Sequence, residues 1–390
     1  MRAGRRVLFV ALVPLVALAL ATANGAVAAA TEVHRSALDQ AIARLAATHG
    51  GPPGIAVVVD RGGRVELHTG GVADRATGTP FRLDDRMRVA SVAKAFSGAT
   101  ALSVVARGRL SLDTTIGERL PMLPRAWWPV TLAELLGHTS GIPDFSMSSA
   151  FVDALRASLT KAPPPLELLR FVFDRGLEFA PGTKYEYSNS DNIVVALLVE
   201  AATGRRYASV LDDRVTDVLG LSRTTLPDGP LLRAPFVHGY EFDPPATYTD
   251  VSQLFAAGWT WASGGVVSTP RELDRFIRAY ARGKFTDPAS RARQFTFIRG
   301  GSSEPPGPGT NSAGLALFRY ETRCGTVYGH TGNTPGYTQF AAATRDGSRS
   351  VTVSLNAQIT PKSDPVLFLQ VRRLFELATC AALQHDHGRH

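Results

Sequence analysis

A serine and a lysine stand three positions apart in the segment RVASVAKAF, residues 88–96. Lys94 is one of only five lysines in a chain that has 37 arginines, so an amine is unusual here. Near the start of a helix this spacing places both side chains on one face, within hydrogen-bonding reach. A serine becomes nucleophilic when a base takes its proton, and a buried lysine can lose its proton whereas arginine cannot. The pair predicts Ser91 as a nucleophile with Lys94 as its proton partner, although a capping serine beside a surface lysine fits this short pattern too.

Two later motifs contain further groups able to bind or transfer protons. Tyr187-Ser188-Asn189 lies in PGTKYEYSN, and His330-Thr331-Gly332 lies at the end of a predicted strand in VYGHTGN. The adjacent Ser190-Asp191-Asn192 is an alternative to the tyrosine motif. His138 in LLGHTSGI is predicted to shape a turn rather than to act as a triad base. The chain contains no Gly-x-Ser-x-Gly motif, which argues against an α/β-hydrolase nucleophile.

The order Ser-x-x-Lys, Tyr-x-Asn, His-Thr-Gly resembles the three signatures of the serine penicillin-recognising enzymes. That family comprises DD-peptidases, class C β-lactamases and their esterase relatives. LLGHTSGI, PGTKYEYSN and SGGVVSTPREL are also similar to it, and the pattern around YSN favours Tyr187 over the Ser-Asp-Asn alternative. GVADRATG and the cysteine positions look closest to its secreted D-alanyl-D-alanine carboxypeptidases. The resemblance spans about residues 35–382.

The resemblance implies a role for each motif residue. Ser91 would attack the carbonyl of the penultimate D-alanine, or of a β-lactam ring, and form an acyl-enzyme, while Lys94 and Tyr187 share the proton transfers. Which of these two takes the proton from Ser91 is left open. The backbone N–H groups of Ser91 and Asn333 would form the oxyanion hole.

The resemblance also implies a set of substrate contacts. A histidine at position 330, where many relatives have lysine, is less assured of a positive charge near neutral pH, which favours a peptidase or esterase over a dedicated β-lactamase. Trp259 either lines the cleft or is an ordinary core aromatic. The expected contacts are Asn189 to the substrate amide, His330 and Thr331 to its terminal carboxylate, Gly332 through close backbone approach, Asn333 to the oxyanion, and Trp259 to the cleft wall.

The elements that must position these residues can be predicted from hydrophobic patterning. An amphipathic helix is expected over residues 36–49, a second helix over residues 91–107, and a third at the end of the chain with Ser363 as its cap. GIAVVVD and RVELHTG flank an Arg-Gly-Gly turn, and strand patterns return near the end of the chain. We expect an α+β fold, β-lactamase/transpeptidase-like, in which a five-stranded antiparallel sheet has helices on both faces. The predicted units are a sheet domain of residues 31–115 and 251–383, a mostly helical inserted domain of residues 116–250, and a disordered tail of residues 384–390.

The first thirty residues have the features of an export signal. A basic start precedes an apolar run, residues 7–21, and then small residues suitable for cleavage. This pattern predicts a secretory signal peptide, residues 1–30, and therefore a secreted protein without stable membrane insertion. An uncleaved anchor is the alternative.

Charge and cysteine usage restrict the partners. Loss of the three signal arginines lowers the formal charge from +8 to +5, since 39 basic residues then face 34 acidic ones. There is no long basic run, so nucleic-acid binding is not expected. Cys324 and Cys380 lack metal-ligand spacing, and in an oxidising compartment they predict one disulfide, two free buried thiols being the alternative. No metal or cofactor is predicted, and a monomer is expected.

Three functions are consistent with these observations. The first is a secreted serine D-alanyl-D-alanine carboxypeptidase or transpeptidase that acts on peptidoglycan stem peptides and is acylated by β-lactams. The second is a β-lactamase or small-ester esterase on the same fold. The third is a non-catalytic penicillin-binding protein, which the presence of Ser91, Lys94 and Tyr187 argues against.

Overall fold

Residues 36–245 and 247–384 are described by the structure, which is a computed structural model. The predicted signal peptide and the tail after residue 384 lie outside the described residues. Within the described part of the chain, no helix combines the length and apolar character that crossing a membrane requires.

The described residues contain helices before, between and after the strands of one large sheet. The first is the predicted amphipathic helix, and the last begins with Pro365 capped by Asp364, which accepts a hydrogen bond from the Leu367 N–H. The prediction of Ser363 as the cap was wrong by one position. The cap is Asp364, and Pro365 follows it at the first helical position, where proline is favoured. The α-helices are α1 (Ala37–Ala46), α2 (Ala93–Val105), α3 (Ile116–Arg119), α4 (Leu132–Leu136), α5 (Ser149–Ala157), α6 (Pro165–Arg170), α7 (Asn189–Thr203), α8 (Tyr207–Leu211), α9 (Asp217–Leu219), α10 (Trp261–Gly264), α11 (Pro270–Ala281), α12 (Pro288–Gln294) and α13 (Pro365–Leu383).

The strands form one antiparallel sheet and two short pairs. Five strands of the sheet have seven residues or more: β1 (Gly54–Arg61), β2 (Arg64–Gly71), β10 (Gly325–Thr334), β11 (Tyr337–Ala343) and β12 (Arg349–Leu355). Three shorter ones extend it: β7 (Ile298–Arg299), β8 (Thr310–Ala313) and β9 (Phe318–Thr322). The strand order is β2-β1-β12-β11-β10-β9-β8-β7, and the pairs β3 (Met87–Arg88) with β6 (Val267–Ser268) and β4 (Tyr240–Asp243) with β5 (Thr247–Asp250) lie apart from it.

The antiparallel sheet with helices on both faces confirms the predicted fold class, while the predicted strand count was too low. Within the described residues the sheet has eight strands rather than five. The three additional strands are short and flank a Pro/Gly-rich segment, where the alternating pattern of a long strand cannot develop. The predicted division into a sheet domain and a helical domain stays a prediction.

Alternation along the strands separates two hydrophobic cores. On one face Ile55, Val57 and Val59 of β1 pack with α1 and α13. On the other face α11 crosses β1, β11 and β12, and its core continues into α2 and α7. Cys324 and Cys380 form a disulfide that joins the start of β10 to α13, as predicted. β10, paired within the sheet, lies beside α2 and the turn that precedes it, where the candidate catalytic residues lie.

Candidate active site

Ser91 lies in a single 3₁₀ turn, residues 90–92, directly before α2. The preceding Ala90 has a φ of 51°, a left-handed conformation that is costly for a residue with a Cβ. Beyond Gly329 the outer edge of β10 is not paired with β9, and this free edge contacts the Ser91 turn. A Cβ on Gly332 would lie 2.8 Å from the Ser91 nitrogen. Glycine at position 332 therefore permits close approach of β10 to the Ser91 turn, which is the approach that the structure shows.

Lys94 is completely buried on the first turn of α2 and is surrounded by three oxygen atoms. Its Nζ donates to Ser91 Oγ at 3.0 Å, to Asn189 Oδ1 at 2.7 Å and to the Ser263 carbonyl oxygen at 2.8 Å. Burial lowers the pKa of the Lys94 amine from 10.5 to about 7, against the attraction of Asp144 and other nearby carboxylates. About half of the molecules therefore have a neutral Lys94 near pH 7.

The arrangement of these three oxygens specifies where the lone pair of the neutral amine can point. The Asn189 and Ser263 carbonyl oxygens can only accept, so they retain the two remaining N–H groups. The lone pair is then directed at the Ser91 hydroxyl, which can donate its proton to it. This geometry favours Lys94 as the base that activates Ser91, the choice that sequence left open.

Tyr187 faces the same serine and is held in its neutral form. Burial raises the pKa of the Tyr187 hydroxyl well above its ordinary value, and the nearby Ser91 hydroxyl only partly opposes this. The hydroxyl oxygen is buried without a well-formed hydrogen bond among the described residues. Lys94 Nζ lies 5.0 Å from the centre of the Tyr187 ring. A neutral phenol beside the serine is suited to donating a proton rather than to removing one.

Asn189 begins α7 and uses its whole amide group to organise the site. Its Oδ1 accepts from Lys94, while its Nδ2 donates to Asp144 Oδ2 at 2.9 Å and to Ser146 Oγ at 3.0 Å. The side chain also lines the cavity beside Ser91. The contact of Asn189 with a substrate amide stays a prediction. The structure shows that Asn189 holds Lys94 in place through a hydrogen bond.

The side chains of the adjacent Ser-Asp-Asn sequence hydrogen-bond elsewhere and not to Ser91. Ser190, Asp191 and Asn192 are all buried in the first turn of α7. The hydroxyl of Ser190 donates to a backbone carbonyl, Asp191 hydrogen-bonds to the ring of His138, and Asn192 Oδ1 accepts from Ser97. The structure therefore brings the tyrosine motif, and not this alternative, next to the nucleophile.

A cavity of about 330 Å³ opens beside Ser91. Its lining combines apolar side chains with polar ones. Among the described residues that line it, Glu304 has the only charged side chain. The lining includes Ser91, Tyr187, Asn189, Glu304, Asn333, Ser263 and the apolar residues Phe145, Phe151, Leu155 and Phe255.

Several predicted substrate contacts lie outside this lining. Burial and the charge of Lys94 lower the pKa of His330 well below its ordinary value, so its buried ring is neutral. The hydroxyl of Thr331 is also buried and hydrogen-bonds to Ser303 Oγ at 2.6 Å. Neither side chain provides a cation for a substrate carboxylate in this conformation.

Of the two positions that the sequence allowed for Trp259, the structure shows the core position, and Trp259 is not among the residues that line the cavity beside Ser91. Its side chain is buried, and its indole N–H donates to the Ser158 carbonyl oxygen at 3.0 Å. The ring packs edge-on against Phe151, with 5.6 Å between centroids, and Phe151 in turn lines the cavity. Trp259 is the core aromatic that its pattern also allowed.

The sequence patterns did not identify three parts of the cavity lining: Glu304, Ser263 and the apolar residues. Glu304 lies in the segment SSEPPGPGT, which patterning identifies only as a loop. Ser263 contributes a backbone carbonyl oxygen, which no side-chain pattern reveals. Phe145 and Phe151 read as ordinary core residues, because their position beside Ser91 depends on the packing of distant segments. Across the described residues no group of three or more His, Cys, Asp or Glu side chains could hold a metal ion.

A family model described as beta-lactamase matches residues 38–374. The chain belongs to this family. Its members include serine hydrolases, so the predicted family and the predicted enzyme class are confirmed. The match covers the Ser91 turn, the tyrosine motif and β10, which are the elements that assemble the site.

Individual relatives of this chain have several activities. A D-aminopeptidase of Brucella anthropi is 31% identical over 49% of this chain and 36% of its own length. Penicillin-binding protein 4* of Bacillus subtilis is 24% identical over 73% of this chain and 63% of its own length. The chain thus spans less than two thirds of these relatives. The solved structure of a D-stereospecific amidohydrolase from Streptomyces sp. is 26% identical, with a TM-score of 0.73 over 86% of this chain and 97% of that one.

Proposed function

We propose that this chain is a secreted serine hydrolase that cleaves amide bonds next to a D-amino acid through an acyl-Ser91 intermediate. The observation that carries the proposal is the buried Lys94 amine, 3.0 Å from Ser91 Oγ and with a pKa of about 7. In the form that the motifs predict, it is a D-alanyl-D-alanine carboxypeptidase or transpeptidase that acts on peptidoglycan stem peptides and is acylated by β-lactams.

The proposed reaction has two stages. Neutral Lys94 takes the Ser91 proton as Oγ attacks the substrate carbonyl, and the N–H groups of Ser91 and Asn333 hold the oxyanion. Tyr187 donates a proton to the leaving amine as the C–N bond breaks, and Lys94 restores that proton. Water, or a second amine, then attacks the ester in the reverse sense and releases the acyl group from Ser91.

The relatives support amide chemistry with D-amino acids without distinguishing its form. One is named as a D-aminopeptidase, one as a D-stereospecific amidohydrolase and one as a penicillin-binding protein. The first two names describe amide or peptide hydrolysis, and we propose that this chain shares it.

A second candidate is hydrolysis of amides or esters that carry an ammonium group instead of a terminal carboxylate. Glu304 supports it, because this carboxylate is the only charge in the lining of the Ser91 cavity and has no hydrogen-bond or ion-pair partner among the described residues. Glu304 also lines an adjoining cavity of about 450 Å³, where carboxylates outnumber the cations Arg175 and Lys362. A negative field attracts an amine and repels a carboxylate.

Four probes separate these possibilities: a fluorescent penicillin, N-acetyl-D-Ala-D-Ala, D-alanine amide and a p-nitrophenyl ester, each with wild type and Ser91→Ala. Release of D-alanine from the dipeptide with lasting penicillin label supports the carboxypeptidase. Faster turnover of the amide supports the second candidate. Rapid ring opening without stable label indicates a β-lactamase, and turnover of the ester alone indicates an esterase. Undiminished activity of Ser91→Ala would refute the acyl-serine mechanism.

We also propose that the protein is exported and acts as a monomer. The predicted signal peptide supports export. Amino-terminal sequencing of protein recovered from the culture medium should begin near residue 28 or 30, and light scattering should give the mass of one chain. An intact Met1 or a dimer mass would contradict the respective proposal.

A further inference from the structure

His138 contacts the chain on both sides of Tyr187. Its backbone carbonyl oxygen accepts from the Glu186 N–H at 2.9 Å, and its Nδ1 lies 3.4 Å from the Ser188 backbone nitrogen. The His138 and Tyr187 rings also pack together, with centroids 4.6 Å apart and planes tilted by 40°. One residue therefore defines both the backbone path through Tyr187 and the position of its ring.

Asp191 in turn holds His138 in place. Its Oδ2 lies 2.8 Å from His138 Nδ1, and its Oδ1 accepts from Ser140 Oγ at 2.5 Å. The side chains of His138 and Asp191 are only 4% and 0% exposed. Asp191 lies on the first turn of α7, the helix that begins with Asn189. The start of this helix therefore supplies both the residue that holds His138 and the residue that binds Lys94.

The backbone at His138 shows that this arrangement is enforced. His138 has a φ of 55°, in the left-handed region, where most residues other than glycine are strained. Such a conformation persists only when surrounding contacts stabilise it. The loop after it bonds to the same distant segment, because the Gly182 N–H donates to the Thr139 carbonyl oxygen at 2.8 Å.

Tyr187 depends on these contacts because its own hydroxyl makes no well-formed hydrogen bond to any described residue that could orient it. The ring and the adjacent peptide groups must therefore specify its position. His138 does not line either cavity that contains Tyr187, so it does not reach a substrate there. Burial lowers the pKa of His138 to about 3, so its ring stays uncharged and adds no positive charge beside Lys94.

We infer that the Asp191–His138 pair positions Tyr187 for proton transfer to the leaving group. His138 is thus a positioning residue that acts through the tyrosine, and this inference rests on the role proposed for Tyr187. A displacement of about 1 Å in a catalytic group can lower a rate by roughly a hundredfold. Loss of the histidine ring should therefore slow acylation while substrate binding changes little.

The test is a double-mutant cycle between His138→Asn and Tyr187→Phe, with hydrolysis of D-alanine amide and acylation by penicillin as readouts, because in both reactions the leaving nitrogen must be protonated. Asparagine tolerates a positive φ and can still bond to Asp191, but it lacks the ring. We expect His138→Asn alone to lower kcat by about tenfold to a hundredfold with KM within about twofold. In the Tyr187→Phe background the same change should have less than about a twofold effect.

A matched control is His68→Asn, since His68 Nδ1 on β2 lies 2.8 Å from Asp39 Oδ1 on α1, in a histidine–carboxylate pair outside the site. It should leave kcat unchanged. If His138→Asn does not fold, Asp191→Asn replaces it in the cycle with Tyr187→Phe. This change is nearly isosteric, and the expected loss of kcat is smaller. Rates are expressed per site that penicillin can label, so unfolded protein does not count.

Each outcome bears on a defined claim. Equal losses from His138→Asn with and without Tyr187 would show an effect independent of the tyrosine and would overturn the inference alone. Undiminished kcat in His138→Asn would do the same. Undiminished activity in Tyr187→Phe would overturn both the inference and the proposed role of the tyrosine.

Discussion

The pH dependence of Ser91 acylation tests the central feature of the site, a lysine that is neutral near physiological pH. Burial lowers the pKa of Lys94 from 10.5 to about 7, which corresponds to about 5 kcal/mol of differential stabilisation of the neutral form. At pH 7 about half of Lys94 is then neutral, compared with roughly one molecule in 3,000 for an ordinary lysine.

The expected profile follows from the sign of this shift. Only neutral Lys94 can accept the Ser91 proton, and the neutral form increases as pH rises through the pKa. Between pH 6 and pH 8 the neutral fraction grows from about one tenth to about nine tenths, so the acylation rate should rise by roughly tenfold and then level off. Stopped-flow measurement of penicillin acylation at constant ionic strength gives this profile directly.

Removal of a neighbouring carboxylate should move the profile in a defined direction. Asp144 and Glu304 both raise the pKa of Lys94 by their charge. Glu304→Gln should therefore lower that pKa and shift the rise in acylation to lower pH. The matched control Glu167→Gln removes an exposed carboxylate that pairs with Arg170 outside both cavities, and it should leave the profile unchanged.

Three results would refute this reasoning. A rate that is independent of pH from 6 to 9 would mean that Lys94 does not accept the proton in acylation. A rise only near pH 10 would mean that the amine keeps its ordinary pKa. A shift of the Glu304→Gln profile to higher pH would contradict the stated electrostatic effect of Glu304.

Further predictions concern Tyr187, Gly332 and the disulfide. Tyr187→Phe should lower acylation by about a hundredfold, with a thermal midpoint within about 3 °C of wild type, because the hydroxyl removed has no well-formed hydrogen bond. Gly332→Ala should lower both acylation and the free energy of unfolding, the latter by about 1–3 kcal/mol, because its Cβ would lie 2.8 Å from the Ser91 nitrogen; denaturant titration and the labelling rate would measure these losses. Replacing Cys324 and Cys380 by serine should reduce the unfolding free energy by about 4 kcal/mol, since the bond closes a loop with a sequence separation of 56, and a loss below about 1 kcal/mol would contradict the chain-entropy argument.

Much of the sheet was predictable because its five long strands have strong local patterns. The run of apolar residues in β1 and the glycine turn after it define a hairpin without reference to the rest of the chain. The short strands β7, β8 and β9 depend instead on pairing with an edge that distant residues create. Their residues have too little local periodicity to identify them in advance.

The substrate contacts were less predictable than the catalytic pair. His330 and Thr331 belong to a recognised motif, yet the structure turns both side chains into buried hydrogen-bonding or packing positions. Trp259 has an aromatic side chain suited to a cleft, but it packs behind Phe151. Motif membership indicates which elements meet at the site, whereas the direction of each side chain depends on packing between elements.

By itself the sequence determined that Ser91 and Lys94 lie within reach of each other, because a three-residue spacing brings side chains together wherever the backbone is helical. Motif order also determined that a tyrosine and β10 are the elements that complete the site. Only the tertiary structure decided that the amine is buried and has a pKa of about 7, and that its lone pair faces the serine. The physical reason is that desolvation and the charge of the cavity depend on which distant residues, such as Asn189 and Glu304, fold against that helix.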